Sequence, residues 1–345
     1  MVTLTGSGKT FPVTNDMSIL DCALKQGITL AYGCKNGACG SCKGQVISGE
    51  VTHGQHSANT LTSEEESKGV SLFCCAFAQT DCEIQAREVQ GIGDIVVKKV
   101  PCRVNTLEKV APDVMVLKLQ LPATERFQYL AGQYIEFLLK DGKRRAYSIA
   151  TPPHEEGPIE LHIRHLAGGT FTDFVFGHNI EKPLKEKDLL RFEGPLGSFF
   201  LRDSDKPIIF LASGTGFAPI KAIVEHMQYE KISRPITLYW GGRRQIDLYH
   251  HDLCLSWTNS IPNFTYIPVI SDATPEDHWA GRTGFVHQAV MADIPNMSNY
   301  QVYACGAPIV ISSAQKDFVE KCKLPDEEFF ADSFTSEADL ANSTN

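Results

Sequence analysis

Three cysteines within nine residues, Cys34, Cys39 and Cys42, constrain this 345-residue chain more than any other feature. With Cys74 further along they form a C-x4-C-x2-C…C series, a spacing that holds a [2Fe–2S] cluster. A short loop carrying three ligands must wrap closely around what it binds. Gly33, Gly37 and Gly40 give the backbone that freedom, and the loop amides can then aim at sulfur and tune the centre. The competing readings are a zinc site and a set of core thiols. Zinc ribbons show two CxxC knuckles, and this chain has one. The total of eleven cysteines is odd, whereas a secreted disulfide framework favours even counts in a shorter chain. The pattern fits thiolate ligation in an unexported protein, with Cys22, Cys82, Cys102, Cys254 and Cys322 as small buried hydrophobes.

The length predicts two or three domains, and the texture of the chain divides it accordingly. Segment 1–95 holds the cysteine cluster and is acidic, with six Lys/Arg against ten Asp/Glu. Val96 to Val100, followed by Pro101, reads as a join. Segment 96–202 has short β-rich runs at 114–121, 134–139, 146–149 and 159–164 between Gly/Pro turns, which predicts a small antiparallel barrel or sandwich. Segment 203–334 alternates strands and helices. An apolar run at 208–212 precedes Ile220, Ile223, Val224 and Met227 at helical spacing, with strands at 236–240, 265–269 and 301–305 and a helix at 314–322. That alternation predicts an α/β parallel sheet. The polar tail 335–345 reads as disordered. A net charge of −9 argues against nucleic acid or anionic membrane as partner. The start of the chain lacks the apolar core of a signal peptide, and the most apolar stretch, 208–220, is too short for a bilayer. A soluble, cytoplasmic protein is expected.

Gly214-Thr215-Gly216-Phe217-Ala218-Pro219 follows the apolar strand and opens a helix. Glycines permit close approach to a pyrophosphate, and a helix N-terminus favours its charge. Proline stands where a Rossmann turn has its third glycine. The segment instead resembles the GxGxAP of the ferredoxin–NADP reductase superfamily, and other motifs follow in that family's order. Arg145-Ala146-Tyr147-Ser148 looks like its RxYS flavin motif. There the arginine suits a pyrophosphate, the tyrosine stacks on the isoalloxazine, and Ser148 bonds the reactive edge. His162 and Arg164 lie on the next strand, and Gly168-Gly169-x-x-Thr172 resembles the family's phosphate turn. Gly194-Pro195-Leu196-Gly197 resembles the turn between its two lobes. Arg243 or Arg244, after Tyr239-Trp240-Gly241-Gly242, matches the segment beside adenosine. Cys305-Gly306 matches the nicotinamide pocket, and Asp332-Ser333-Phe334 resembles the acidic–x–aromatic end in which the aromatic covers the flavin. The usual methionine after Cys-Gly is absent, since Ala307-Pro308-Ile309-Val310 stands there. Leu72-Phe73-Cys74-Cys75-Ala76-Phe77 is similar to the ferredoxin Leu-Thr-Cys-x-Ala-Tyr, and that register selects Cys74 over Cys75.

The resemblance extends from Val2 to Phe334 and implies a plant-type ferredoxin β-grasp, a flavin barrel and a nicotinamide domain, as in bacterial oxygenase reductases. Stretches at 129–134, 281–290 and 302–306 are similar to the CDP-6-deoxy-Δ3,4-glucoseen reductase family. The cofactors implied are a [2Fe–2S] cluster, FAD and NADH, with NADPH as the alternative. A hydride carries two electrons and the iron–sulfur centre accepts one, so a flavin between them reconciles the counts. The family implies a pyridoxamine-dependent sugar dehydrase as electron acceptor, and its relatives imply an oxygenase component. A non-enzymatic redox sensor is the reading from another class. The flavin and nicotinamide motifs argue against it. Lys35 and Lys43 flank the cluster loop and read as solvated surface or as partner docking.

Overall fold

The computed structural model describes residues 1–58, 60–89 and 95–334, so the tail 335–345 lies outside the described residues. The chain forms two compact units. The first is Met1–Asp94 together with Gly197–Phe199 and the residues from Ala331 onward. Its sheet runs in the order Thr10–Phe11, Val2–Leu4, Cys82–Gln85, Lys43–Ser48, Val70–Leu72. Val2–Leu4 and Cys82–Gln85 are parallel, and the other pairs are antiparallel. Cys82 and Ile84 point inward while Glu83 and Gln85 point out, the period-two pattern of a strand with one wet face. The helix Ile19–Lys25 starts where the Ser18 hydroxyl accepts from the Asp21 N–H at 3.1 Å, satisfying one otherwise unpaired donor. Its Ile19, Leu20, Cys22 and Ala23 are buried. This is the β-grasp, and Cys22 and Cys82 are buried within it.

The second unit holds two sheets. The first is antiparallel, in the order Arg144–Ser148, Tyr134–Leu138, Leu189–Leu196, Lys98–Ala111, Val114–Gln120, Ile159–Arg164. A bridge between Ile149 and Leu161 joins its two edges and closes a barrel around Leu117, Phe137, Leu161, Phe171 and Phe192. Of the stretch read as a join, Val96 and Val97 precede the 14-residue strand Lys98–Ala111, close to where the second unit begins at Ile95, and the rest with Pro101 belongs to that strand. Its Val100, Cys102 and Val104 alternate into the core.

The second sheet is parallel through Arg282–Thr283, Phe264–Ile270, Ile236–Gly242, Ile208–Ser213 and Gln301–Gly306. Ile208–Ser213 is buried at five of its six positions, as expected of a strand covered on both faces. Strand order reverses between Ile208–Ser213 and Gln301–Gly306, and ligands of such sheets bind at the carboxyl ends of strands at that switch point. The helix expected over 314–322 begins earlier, as Pro308–Cys322, with proline in its first turn, where a missing N–H does no harm.

Candidate cofactor sites

The cysteine loop is organised by its amides. The Cys34 N–H donates to the Cys39 sulfur at 3.2 Å, and the Ala38 N–H to the Cys34 sulfur at 3.4 Å. Gly37 and Gly40 hold φ of +74° and +78°, where a side chain is strained. A Cβ on Gly37 would also stand 2.6 Å from the Cβ of His56. The thiols press on one another. A hydrogen bond with Cys34, then burial, pushes Cys39 well above the ordinary thiol value. A hydrogen bond with Cys74, then burial, does the same to Cys42. At Cys34 the bond with Cys39 lowers the value, but Cys74 and burial raise it to about 11. Cys74 therefore acts on both Cys34 and Cys42, while the Cys75 sulfur donates to the Leu72 carbonyl at 3.5 Å. Crowded soft donors, with Cys34, Cys39 and Cys42 holding their protons tightly in the free state, suit a thiophilic metal that displaces those protons. Lys35 pairs with Asp21 and Lys43 with Glu65, each at 2.7 Å.

Two distant segments flank this loop within the first unit. The Tyr32 N–H donates to the Ser198 hydroxyl at 2.8 Å, and the Ser198 N–H to the Tyr32 carbonyl at 3.0 Å. The Ser41 hydroxyl donates to the Ala331 carbonyl at 3.0 Å. Asp332 is buried, with Oδ1 2.9 Å from where a Cβ on Gly33 would stand. Burial and the charge of Cys39 push its carboxyl up to about 7. Asp332, expected beside the flavin lid, is thus placed against the cluster loop, and Phe334, half-buried, belongs to the same unit.

In the barrel, Arg144–Ser148 and the turn before the helix Thr170–Phe176 meet through Phe171. Its ring lies 5.5 Å from that of Tyr147 and 4.8 Å from that of Phe137. Ser148 is buried and its hydroxyl has no hydrogen-bond partner among the described residues. A buried orphan hydroxyl is costly, and it fits a bound group with a polar edge, as FAD has. Gly168, at φ +80°, opens onto free space. Thr172, expected at a phosphate, instead closes its own turn: its hydroxyl donates to the Leu166 carbonyl at 2.9 Å and accepts from the Leu166 N–H at 3.2 Å. Gly169 is needed there, because a Cβ would meet the Thr172 hydroxyl at 2.7 Å. Arg145 donates to the Arg144 carbonyl at 2.8 Å and is half-buried.

At the switch point of the parallel sheet, Gly214, Thr215 and Gly216 form one tight turn before the helix Phe217–Tyr229. A Cβ on Gly216 would lie 2.0 Å from the Cys305 carbonyl oxygen, and one on Gly306, at φ +139°, 2.4 Å from the Ser213 carbonyl oxygen. The glycines let the two strand ends close on each other. Cys305 is fully buried. Arg164 pairs with Asp113 at 2.8 Å and reaches Asp247 at 3.7 Å, and its guanidinium nitrogen lies 2.6 Å from where a Gly214 Cβ would stand. Arg243 is 62% exposed and faces Asp113 and Asp247 at 3.6 and 3.4 Å. Arg244 is clasped by Asp277 and the Thr274 hydroxyl, each at 2.8 Å.

His162 lies on the strand Ile159–Arg164. Its side chain is fully buried and both ring nitrogens are engaged, Nδ1 with the Tyr249 hydroxyl and Nε2 with Glu160, each at 2.9 Å. Burial opposes charge on Glu160, but the His162 bond and Lys221 outweigh it and hold the carboxylate well below the usual range. His162 itself is kept neutral, chiefly by burial. Its ring ties the strand Ile159–Arg164 to Tyr249 inside the second unit. The partners that fix these groups, Glu160, Tyr249, Asp113, Asp247 and Ser41, carry no local sequence signal. Tyr249 and Asp113 are joined to their site residues only by the fold, whereas Glu160 and Ser41 stand two positions from His162 and Cys39, and Asp247 four from Arg243.

Comparison with known proteins agrees with this arrangement. Residues 2–79 match the 2Fe-2S iron-sulfur cluster binding domain, 101–201 the oxidoreductase FAD-binding domain and 210–316 the oxidoreductase NAD-binding domain. The chain is similar to the CDP-6-deoxy-L-threo-D-glycero-4-hexulose-3-dehydrase reductase of Yersinia pseudotuberculosis, 42% identical over 96% of this chain and 98% of the relative. It is 36% identical to reductase component 1 of the Comamonas terephthalate 1,2-dioxygenase, over 88% of each chain. Among solved structures, the Amycolatopsis cytochrome P450 reductase GcoB superposes with a TM-score of 0.76 at 30% identity, over 97% of this chain and 98% of the other.

Proposed function

The chain belongs to the three-domain [2Fe–2S] flavoprotein reductases, and on that premise we propose that it carries electrons from NADH to a CDP-6-deoxy-hexulose 3-dehydrase, a pyridoxamine-dependent enzyme of 3,6-dideoxy-sugar synthesis. The observation that carries this acceptor is the 42% identity to a reductase of that dehydrase, end to end in both chains. The reductase of a terephthalate dioxygenase, at 36%, keeps an oxygenase component as the second reading. Bound FAD and the cluster supply the conversion of a hydride pair into single electrons.

The chain's own residues would position those groups. Cys34, Cys39, Cys42 and Cys74 hold the cluster. Arg145 neutralises the flavin pyrophosphate, Tyr147 flanks the ring, and the buried Ser148 hydroxyl meets its polar edge. Gly168 and Gly169 leave room at the flavin phosphates. Gly214, Thr215, Gly216 and Gly306 form the backbone floor for the dinucleotide, with Cys305 beneath it, and Arg164 and Arg243 bring positive charge to its rim. Asp332 lines the cluster loop, and Phe334 follows it. A 2′-phosphate near Arg243 and Arg244 would meet Asp113, Asp247 and Asp277, and these carboxylates favour NADH over NADPH. Free thiols and clustered cysteines suit a reducing cytoplasm. No helix among the described residues is long and apolar enough to cross a membrane.

The test mixes purified protein, NADH, the dehydrase and its CDP-6-deoxy-hexulose substrate, and measures deoxygenated sugar against NADH consumed. Stoichiometric product supports the reading. NADH-driven cytochrome c reduction without sugar product, together with turnover of an oxygenase component, would transfer the acceptor to the oxygenase class. No NADH-dependent reduction of any acceptor would leave the redox-sensor reading.

A further inference from the structure

Ser41 lies inside the C-x2-C step, between two cluster cysteines, yet the spacing gives it no role. Its hydroxyl donates to the Ala331 carbonyl at 3.0 Å, across 290 positions of sequence. The Cys39 sulfur lies 3.5 Å from the Ser41 hydroxyl oxygen. One hydroxyl proton thus has two neighbours able to accept it. While Cys39 is a free thiol, the sulfur is the donor to Ser41 and the carbonyl takes the serine proton. A cysteine bound to iron is a thiolate and can only accept. An anionic sulfur then competes with a neutral carbonyl, and the hydrogen bond to the charged acceptor is the stronger.

We propose that Ser41 is a positioning residue for the cluster: with iron on Cys39 its hydroxyl turns to that sulfur, and the Ala331 carbonyl is the acceptor it leaves. The inference rests on Cys39 being a cluster ligand. Hydrogen bonds to cluster sulfurs stabilise the more negative, reduced centre and raise its potential. The Cys34 and Ala38 amides donate from the backbone and survive any side-chain change. Ser41 adds a donor that one substitution removes. Ala331 anchors that donor from the strand Phe329–Ser333, which makes the Ala331 backbone part of the cluster's surroundings.

The test is an EPR-monitored redox titration of the holoprotein and its Ser41→Ala, Ser41→Thr and Ser41→Val variants. Ser41→Ala should keep its iron and its EPR intensity and become harder to reduce by about tenfold in equilibrium, roughly 59 mV for one electron. Ser41→Thr keeps the hydroxyl and should titrate with the parent, whereas Ser41→Val, of the same shape, should follow Ser41→Ala. If Ser41→Ala assembles no cluster, the threonine–valine pair makes the same comparison. An intact cluster with unchanged potential in Ser41→Ala and Ser41→Val overturns the proposal, as does a Thr variant displaced as far as Val. A parent protein without a [2Fe–2S] signal, or a Cys39→Ser variant that keeps it, removes the ligand assignment itself.

Discussion

The cysteine loop and the Gly214–Gly216 turn are both glycine-rich backbone wraps, but they carry chemistry in opposite ways. In the loop, function resides in side chains: Cys34 meets Cys39 and Cys74, Cys42 meets Cys74, and the glycines bend the chain around them. In the turn, function resides in the absence of side chains. Gly216 and Gly306 let two strand ends approach so closely that a Cβ would stand 2.0 and 2.4 Å from backbone oxygens. A site built from side chains announces itself by residue type and spacing. A site built from close backbone approach shows only that glycine is required, and the neighbour that requires it can be protein as readily as ligand.

The sharpest way to break the comparison is at the thiols, where the largest effect is expected. Cys39→Ser and Cys74→Ser should each abolish the visible and EPR signals of the cluster while NADH still reduces the flavin, and ferricyanide reduction should persist. Cys75→Ser should keep the cluster, because its sulfur is turned to the Leu72 carbonyl. Loss of the cluster in Cys75→Ser with retention in Cys74→Ser would shift the ligand register by one. Next in size is Arg145→Ala, which removes a charge-assisted contact and should weaken FAD retention by roughly 1.5–3 kcal/mol. Equilibrium dialysis against free FAD reads that loss, and unchanged retention would take Arg145 out of the site.

Gly216→Ala sharpens the other side of the comparison. If the glycine served only the dinucleotide, the variant would fold normally and bind NADH poorly. The close approach of the Cys305 carbonyl predicts a loss of stability as well, about 1–3 kcal/mol for overpacking. It should appear as a lowered Tm with no ligand present. Gly168→Ala is the control, since its Cβ would meet open space and only the positive φ is strained, at about 1–2 kcal/mol.

These variants also mark what was legible in the sequence. The fold class was readable because its periods are local: the apolar run at 208–212, the helical spacing of Ile220 to Met227, and the short β runs of the barrel. Lys98–Ala111 escaped because Pro101 and six exposed charged or amide side chains disguise the alternation of Val100, Cys102 and Val104. Leu189–Leu196 escaped similarly, with Arg191 and Glu193 interrupting its apolar positions. Spacing alone proposes Cys34, Cys39 and Cys42, and the ferredoxin resemblance chooses Cys74 over Cys75. Thr172 and His162 were read as cofactor contacts because of where they stand in the chain, and both turn out to have internal partners. Leu166 is six residues from Thr172, but Tyr249 is 87 from His162, and no pattern in one sequence joins positions so far apart.

That long-range strut gives the smallest expected effect. On the strand Ile159–Arg164, Glu160 and His162 share a face, with Lys118 and Lys221 against Glu160 at 3.3 and 3.5 Å. Tyr249 and His250 close over His162, the rings of the two histidines 5.3 Å apart. Burial, then the neighbouring His162, lowers His250 to about 4, and His162 is lowered as well. Both are therefore neutral in the folded protein where an unfolded chain, near 6.5, would begin to bind protons. Their contribution is fully present above that value. As pH falls from about 6.5 towards 4 the unfolded state gains protons that the folded state refuses, so stability falls, by at most about 1.4 kcal/mol per pH unit for each histidine. Calorimetry should show Tm dropping between pH 7 and 5.5, with a shallower slope in His250→Asn, which cannot titrate. The FAD content and the NADH reduction rate at pH 7.5 should not change in that variant. A parallel slope in the two proteins would mean that His250 is not the group that resists protonation. Loss of FAD in His250→Asn would instead show that this face of the barrel strand does reach the flavin, and would return His162 to the side of the molecule that carries chemistry in its side chains.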